Sequence, residues 1–287
     1  MPELPEIEIV KRSLFKMVNR AKIVDIIINN KNLRYKISHK LFNTLIGEKI
    51  LRISRRSKYL IFHFRKKLLL IHLGMSGKIL IKRNFDNRLF KTSFYYDLNI
   101  PKKHNHIYFK LNNGLDLIYN DVRRFGFLKL YNTIYLNKIA FIQKLGLEPF
   151  SKKFNTKYFT NFVQKRKKNI KNLLMDQTFV SGLGNIYANE VLFMSKINPS
   201  KKCNRLNNNE IKKLIFNIKK VLQFSISKGG TTIRDFQNTL GESGNYQQFF
   251  YVYGRNNKKC SRISCKGKIK KIVISNRSTF YCTVCQL

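Results

Sequence analysis

Between residues 23 and 131 the apolar residues fall into short runs, at 23–28, 59–64, 68–73, 79–81, 107–111, 115–119 and 127–131. Polar or glycine-containing segments such as Asn112-Asn113-Gly114 divide them, and Asn and Gly there supply the backbone freedom of a tight turn. Many short strands at close spacing predict an antiparallel β-sandwich or barrel. One amphipathic helix precedes them, because Ile7, Val10, Leu14 and Met17 recur at helical spacing within 3–19. After residue 132 the texture changes: segments 156–166, 169–177, 185–196 and 209–227 have helical length and periodicity. The last 35 residues return to short strands and hold four of the five cysteines. The expected fold class is α+β and multidomain. An N-terminal antiparallel β-sandwich with a leading helix covers 1–132, a helical domain 133–250, and a small cysteine-bearing β-hairpin unit 251–287.

The cysteines constrain that last unit. Cys282-x2-Cys285 has metal-knuckle spacing, and Cys260 with Cys265 forms a partner pair sixteen residues upstream. Four thiolates so spaced suit one tetrahedral structural Zn2+. Cys203 stands apart and reads as an isolated free thiol.

Lys and Arg number 57 against 15 Asp and Glu, a formal net charge of +42. A charge of this size points to a polyanion such as DNA, RNA or an anionic membrane. The abundance of Lys, Asn, Ile, Phe and Tyr is also what AT-rich codons supply, so charge alone does not decide. A hydrophobic fraction of 43% excludes a disordered basic tail as the whole chain. No apolar run approaches the length of a spanning helix. The first residues carry acids where a secretory signal carries bases, and the expected location is cytoplasmic.

The acids are more telling than the bases. Glu3, Glu6 and Glu8 are three of only eight glutamates. Acids in a first helical turn favour the macrodipole, which accounts for Glu6 and Glu8 but not for Pro2 and Pro5 bracketing Glu3. A small residue after the initiator Met permits Met removal, and Pro2 then begins the chain as a secondary amine. A terminal α-amine has a pKa of about 7.7–8 and is partly neutral near pH 7. Such an amine can attack a sugar C1′ or an aldehyde and form an iminium, with Glu3 placed to shuttle protons.

A set of motifs in fixed order then carries a resemblance. MPELPEIE at 1–8, RRSKYLIF at 55–62, IHLGMSGK at 71–78, DVRRFG at 121–126, LMDQTFVSGLGNIYANE at 174–190, GGTTIRDF at 229–236 and the cysteine unit are similar to those of the formamidopyrimidine-DNA glycosylase family. The match spans essentially the whole chain. Leu4 in Pro-Glu-Leu-Pro-Glu resembles this branch rather than the endonuclease VIII branch, which prefers Gly there. The resemblance implies a bifunctional enzyme that excises oxidised purines from duplex DNA and nicks the abasic site by β,δ-elimination. It implies a helix–two-turn–helix motif in the helical domain, a zinc finger at 251–287 and a monomer. No nucleotide or redox cofactor is implied.

Residue by residue, Pro2 matches the Schiff-base nucleophile and Glu3 its proton donor. Lys58 matches a lysine that moves protons during β-elimination, and Glu6 a second acidic position, with a plain helix-start acid as the competing reading. Arg277 matches an arginine that approaches the phosphate at the lesion and is associated with δ-elimination; a bidentate guanidinium suits phosphate binding better than proton donation. A glycosylase must extrude its target base and fill the gap. The matching residues are Met75, Arg123 and Phe125. His72 and His104 match positions near the DNA, and Lys167 and Lys171 basic positions facing its backbone or the lesion. Asn185 follows Gly182-Leu183-Gly184 at a helix start, where unsatisfied amides bind phosphate. Residues 229–254 match a loop covering the extruded base. Three departures stand out: Val122 where the family has Pro, Asn105 where it has Asp, and x4 instead of x2 between Cys260 and Cys265. Rival readings are an endonuclease VIII-like enzyme for oxidised pyrimidines, a catalytically decayed DNA binder, and a general basic RNA-binding protein.

Overall fold

The structure, a computed structural model, describes residues 1–83, 89–90, 101–164, 166–231 and 245–287. Residues 232–244 of the expected base-covering loop, including Phe236, Gly241 and Gly244, lie outside the described residues. The chain divides into two compact units: Met1–Gln143 with Lys228–Asn245, and Lys144–Ser227 with Tyr246–Leu287. By sequence texture the first boundary falls at 132; here residues 133–143 and Lys228–Asn245 group with the N-terminal unit, and the helical segment groups with the cysteine hairpin.

The first unit contains α1 (Leu4–Val18), β1 (Ile23–Ile28), α2 (His39–Asn43), β2 (Arg52–Arg56), β3 (Tyr59–His63), β4 (Lys67–His72), β5 (Gly77–Arg83), β6 (Leu89–Phe90), β7 (Asn105–Leu111), β8 (Leu115–Asp121), β9 (Phe127–Asn132) and α3 (Ala140–Gln143). Two antiparallel sheets form, of order β1-β7-β8-β5-β6 and β2-β3-β4-β9. Ile23, Ile26, Ile79, Ile81, Phe109 and Leu117 of the first sheet share one core with Ile53, Leu60, Phe62, Leu69, Ile71 and Leu128 of the second. That shared core is the expected sandwich. α1 adds Ile7, Val10, Leu14 and Val18 to it, and Pro5 is tolerated in its first turn because those amides have no intrahelical acceptor.

The runs at 59–64 and 68–73 are continuously apolar rather than alternating because both faces of β3 and β4 are covered. Ile61, Leu68 and Leu70 point away from the shared core into a second cluster with Phe127, Ile139 and Phe141. The apolar pattern misses the two-residue β6 and also β2, Arg52-Ile53-Ser54-Arg55-Arg56. In β2 the reason is composition. Its single apolar side chain, Ile53, enters the core, and Arg55 is held by an ion pair described below.

The second unit contains α4 (Thr156–Val163), α5 (Ile170–Met175), α6 (Asn185–Met194), α7 (Asn208–Ser227), β10 (Ile269–Ile274) and β11 (Arg277–Cys282). Asn155 and Asn169 cap α4 and α5 by accepting from the Tyr158 and Asn172 amides at 3.0 and 2.9 Å. α6 is buried along nearly its whole length, as expected of a central helix. Its Glu190 carboxylate accepts from the backbone amides of Tyr251, Val252 and Tyr253 at 2.9, 3.1 and 2.8 Å. β10 and β11 form a hairpin whose turn residues, Ser275 and Asn276, both have positive φ, the geometry that matches strand twist. Among the described residues no helix is long and apolar enough to cross a membrane.

Phe109 is buried in the shared core against Phe42. Phe109→Ala is expected to lower the stability of the chain by about 3–5 kcal/mol, measurable as a reduced denaturant midpoint at unchanged slope.

Candidate active site and nucleic-acid interface

The N-terminal residues are held by carboxylates. Pro2, Glu3 and Glu6 are all buried. The Glu3 amide donates to Glu6 Oε2 at 2.8 Å. Glu6 Oε1 accepts from the Thr231 amide and hydroxyl at 3.0 and 2.9 Å. Gly230 lies against the same oxygen with φ +79°, and a Cβ there would stand 3.2 Å from it. Glu6 is therefore a helix-start acid and an anchor at once: it fixes the amide of Glu3 and the chain at Thr231.

Glu8 performs the same service for Lys58. Its carboxylate pairs with Lys11, Arg12 and Arg55 at 2.6, 3.0 and 3.0 Å. Burial pushes this carboxyl upward, but hydrogen bonds from Lys11 and Arg55 outweigh burial and hold it below the ordinary carboxylate range. Arg55 also donates to the Ser57 carbonyl at 3.0 Å. Ser57 and Lys58 form the two-residue turn of the β2–β3 hairpin, with Ser57 at φ +56°. Lys58 is buried at that turn, one residue before Tyr59, which pairs across the sheet with His72.

His72 is neutral. Burial lowers its pKa to about 4, with Lys58 and Arg34 contributing. Its Nδ1 accepts from the Gly74 amide at 3.1 Å, so its Nε2 carries the proton and is a donor. Its ring stacks on Phe127 with centroids 5.6 Å apart.

Met75 and Phe125 are exposed apolar side chains on separate loops. Arg123 is exposed, and its guanidinium lies 4.5 Å over the Phe125 ring. A cavity of about 570 Å³ is lined by Met1, Arg34, His72, Gly74, Met75, Arg124 and Phe125. Arg34 and Arg124 supply positive charge at this cavity. Sequence reading does not separate Arg34 from the other basic residues; only its place beside His72 does. His104 ends a short 3-10 turn and is half-buried. Beside it Asn105 accepts from Asn120 at 2.7 Å and donates to the Tyr108 hydroxyl at 2.9 Å. An Asp at this position would lack that donor. Val122 is exposed.

In the second unit three residues singled out by sequence converge on one strand end. The Asn185 side-chain Nδ2 donates to the Ser278 carbonyl at 3.0 Å. Lys171 donates to the same carbonyl at 3.2 Å and to Thr279 Oγ1 at 2.6 Å. Thr279 Oγ1 in turn donates to the Arg277 carbonyl at 3.1 Å. Lys171 is fully buried rather than facing outward, so the structure places it beneath the start of β11. Arg277 and Lys167 are exposed. Gln177, which sequence reading leaves unassigned, shapes the turn before α6. It accepts from the Gly182 amide at 2.8 Å and donates to the Leu183 carbonyl at 2.7 Å, while Gly182 has φ +100°.

The sulfur atoms of Cys260, Cys265, Cys282 and Cys285 all lie within 4.8 Å of one another. The Cys260–Cys285, Cys265–Cys282 and Cys265–Cys285 separations are 3.6, 3.5 and 3.6 Å. Tetrahedral zinc with Zn–S bonds of about 2.3 Å requires sulfurs about 3.8 Å apart, so the four residues fit one structural zinc. The x4 spacing is accommodated by a turn in which the Cys265 amide donates to the Arg262 carbonyl at 3.0 Å. Arg262 itself donates to the Phe193 carbonyl at 2.6 Å and stacks over that ring at 4.6 Å. The extra residues thus supply a cation to the carbonyl end of α6, where the helix dipole favours one.

Three family models match the chain. They are the formamidopyrimidine-DNA glycosylase N-terminal domain at residues 1–128, the formamidopyrimidine-DNA glycosylase H2TH domain at 145–237, and a zinc finger found in FPG and IleRS at 257–287. A formamidopyrimidine-DNA glycosylase of Rickettsia bellii is 42% identical over 287 residues, covering 100% of this chain and 99% of the relative. The structure is similar to that of Lactococcus lactis Fpg in complex with DNA containing an abasic site, with TM-score 0.85 and 37% identity over 99% of each chain. It is equally similar, with TM-score 0.85 and 37% identity over 99% of each chain, to the wild-type Lactococcus lactis protein in complex with DNA containing an oxidised pyrimidine.

Two outcomes follow from this geometry. His63, like His72, has its pKa lowered to about 4, by burial and then Arg52. Both rings are neutral in the folded chain and take up protons on unfolding below about pH 6.5. Stability is therefore full above pH 6.5 and is lost as the pH falls toward 4. His72 contributes on the order of 2 kcal/mol to that loss. Denaturant midpoints at pH 7 and pH 4.5 should differ in that direction, and His72→Gln should reduce the difference. For the metal, elemental analysis should find about one zinc per chain, and Cys282→Ser should lose it.

Proposed function

The chain belongs to the formamidopyrimidine-DNA glycosylase family, and from that premise we propose that it removes oxidised purines, 8-oxoguanine and formamidopyrimidines, from duplex DNA and then cuts the strand at the abasic site. As a member of the family it is a DNA glycosylase of base-excision repair. The observation that carries the finer reading is the setting of the first residues. Pro2 and Glu3 are buried, the Glu3 amide is fixed by Glu6, and the residue before Pro2 lines a cavity together with His72 and Met75.

Removal of Met1, which lines that cavity, leaves the Pro2 nitrogen as a secondary amine. The amine attacks C1′ of the extruded nucleotide. The N–C1′ bond forms, the glycosidic bond breaks, and the base leaves with a proton. Opening of the sugar gives an iminium, with Glu3 moving protons at the reacting sugar. The iminium acidifies C2′. Loss of its proton expels the 3′ phosphate, and a second elimination expels the 5′ phosphate. Lys58, held at its turn by Glu8 and Arg55, moves protons in the first elimination. Arg277 holds a phosphate at the lesion. Cys260, Cys265, Cys282 and Cys285 would hold a zinc ion, which would cross-link the hairpin that carries Arg277. Met75, Arg123 and Phe125 fill the gap left by the extruded nucleotide. Lys167, Asn185 and His72 contact the DNA, His72 as a neutral donor, and His104 lies near it.

A second reading, action on oxidised pyrimidines, is favoured by one observation: the Lactococcus lactis relative is found in complex with DNA containing such a base. Borohydride trapping on matched duplexes separates the two. Trapping should give a covalent adduct with 8-oxoguanine DNA in excess of that with oxidised-pyrimidine DNA, and N-terminal sequencing should begin at Pro2. Pro2→Gly should reduce the adduct toward background. No adduct from protein beginning at Pro2 overturns the mechanism, and a reversed preference overturns the purine assignment. Lys167→Ala should lower the slope of log affinity against log salt by about 0.9 if that side chain neutralises one phosphate.

A further inference from the structure

Met75 sits on the loop between β4 and β5, and Arg123 and Phe125 on the loop between β8 and β9. Each loop is joined to the other through one buried carboxylate. Asp121 closes β8 and is fully buried. Its Oδ1 accepts from the Ser76 hydroxyl at 2.5 Å. Its Oδ2 accepts from the Gly126 amide at 2.8 Å and the Tyr119 hydroxyl at 3.2 Å. The Ser76 oxygen, having donated its proton to Asp121, accepts from the Arg123 amide at 3.0 Å. Every bond in this chain runs in its natural direction, from Arg123 amide to Ser76 oxygen and from Ser76 hydroxyl to Asp121 carboxylate.

The backbones meet at the same place. The Gly77 amide closes the Met75 loop on the Leu73 carbonyl at 2.8 Å. Gly74, with φ +61°, lies so near the other loop that a Cβ would stand 2.5 Å from the Gly126 nitrogen and 2.5 Å from the Phe125 carbonyl carbon. Ser76 is one residue from Met75, and Gly126 one residue from Phe125. The proline expected at 122, which would have stiffened the second loop, is Val122 here.

We propose that Asp121 and Ser76 are positioning residues that lock the two loops into one rigid wedge, so that Met75, Arg123 and Phe125 enter the duplex together. This inference rests on the proposed function, in which those three side chains fill the gap behind an extruded base. Its consequence is selective. The tie matters where a stacked base must be displaced from a duplex, and not where the sugar is already open and unpaired.

The test compares two substrates. One is an 8-oxoguanine duplex with 2-aminopurine beside the lesion, whose fluorescence reports unstacking. The other is a single-stranded oligonucleotide with a preformed abasic site. Ser76→Ala removes the relay oxygen alone. Single-turnover excision from the duplex and the rate of the fluorescence change should both fall about tenfold, the effect of losing a buried hydrogen bond to a charged group. Cleavage of the single-stranded abasic site should stay within about twofold, since it needs no wedge. Asp121→Asn keeps the shape but sets an amide donor among groups that already donate, and it should repeat the pattern. An unchanged duplex rate in both variants overturns the proposal. So does an equal loss on both substrates accompanied by a lowered denaturant midpoint, which marks a purely structural role. Wild-type protein that cuts neither substrate sinks the underlying functional reading, and the inference with it, by a different observation.

Discussion

Four times among the described residues of this chain a buried carboxyl side chain gathers hydrogen-bond donors from distant segments and ties them together. Glu8 ties α1 to the β2–β3 turn through Arg55. Glu6 ties the chain's first residues to Thr231. Asp121 ties two loops of the first unit, and Glu190 gathers three consecutive amides of the second. With 57 bases against 15 acids, these sites place scarce carboxyl groups where backbone, hydroxyl and cationic donors converge. At Glu8, whose partners are cations, the hydrogen bonds are charge-assisted and stronger than neutral ones. A donor left without its acceptor in a buried setting carries a desolvation cost. The loops that carry Met75, Val122 and Phe125 leave those apolar side chains exposed, so their packing does not hold the loops.

Much of the architecture is legible in the sequence because it depends on local periodicity. The leading helix, most strands of the sandwich, the helices after residue 156 and the cysteine hairpin all follow from apolar spacing and turn residues. The elements that escape are those whose reason lies far along the chain. β2 carries three arginines in five residues, and its place is set by Ile53 in the core and by Glu8 forty-seven residues upstream of Arg55. The doubly buried faces of β3 and β4 require a second cluster built partly from Ile139 and Phe141.

The candidate site divides along the same line. Pro2, Glu3 and the cysteines stand out by residue type and spacing, and Met75, Arg123 and Phe125 by the motifs that carry the resemblance. The burial of Lys171 does not, because nothing near it in sequence shows that its ammonium meets Ser278 and Thr279 more than one hundred residues later. Arg34 is hidden by the abundance of other bases, and Gln177 by its ordinary side chain. The x4 spacing between Cys260 and Cys265 looks like a loss of knuckle geometry. In three dimensions it delivers Arg262 to the end of α6 while the sulfurs remain clustered.

The approach of Gly74 to Gly126 limits where this protein can change. At Gly74 any side chain meets the neighbouring loop's backbone, and at Gly126 it meets the His72 carbonyl oxygen and the Tyr119 hydroxyl. Neither position can be diversified alone, because the obstacle at each includes main chain. At Gly114, by contrast, an added Cβ meets nothing within 4 Å, and only its φ of +76° is restrictive. Variation in this unit is thus channelled to its hairpin turns, while the segment that would touch nucleic acid is fenced off by its own backbone.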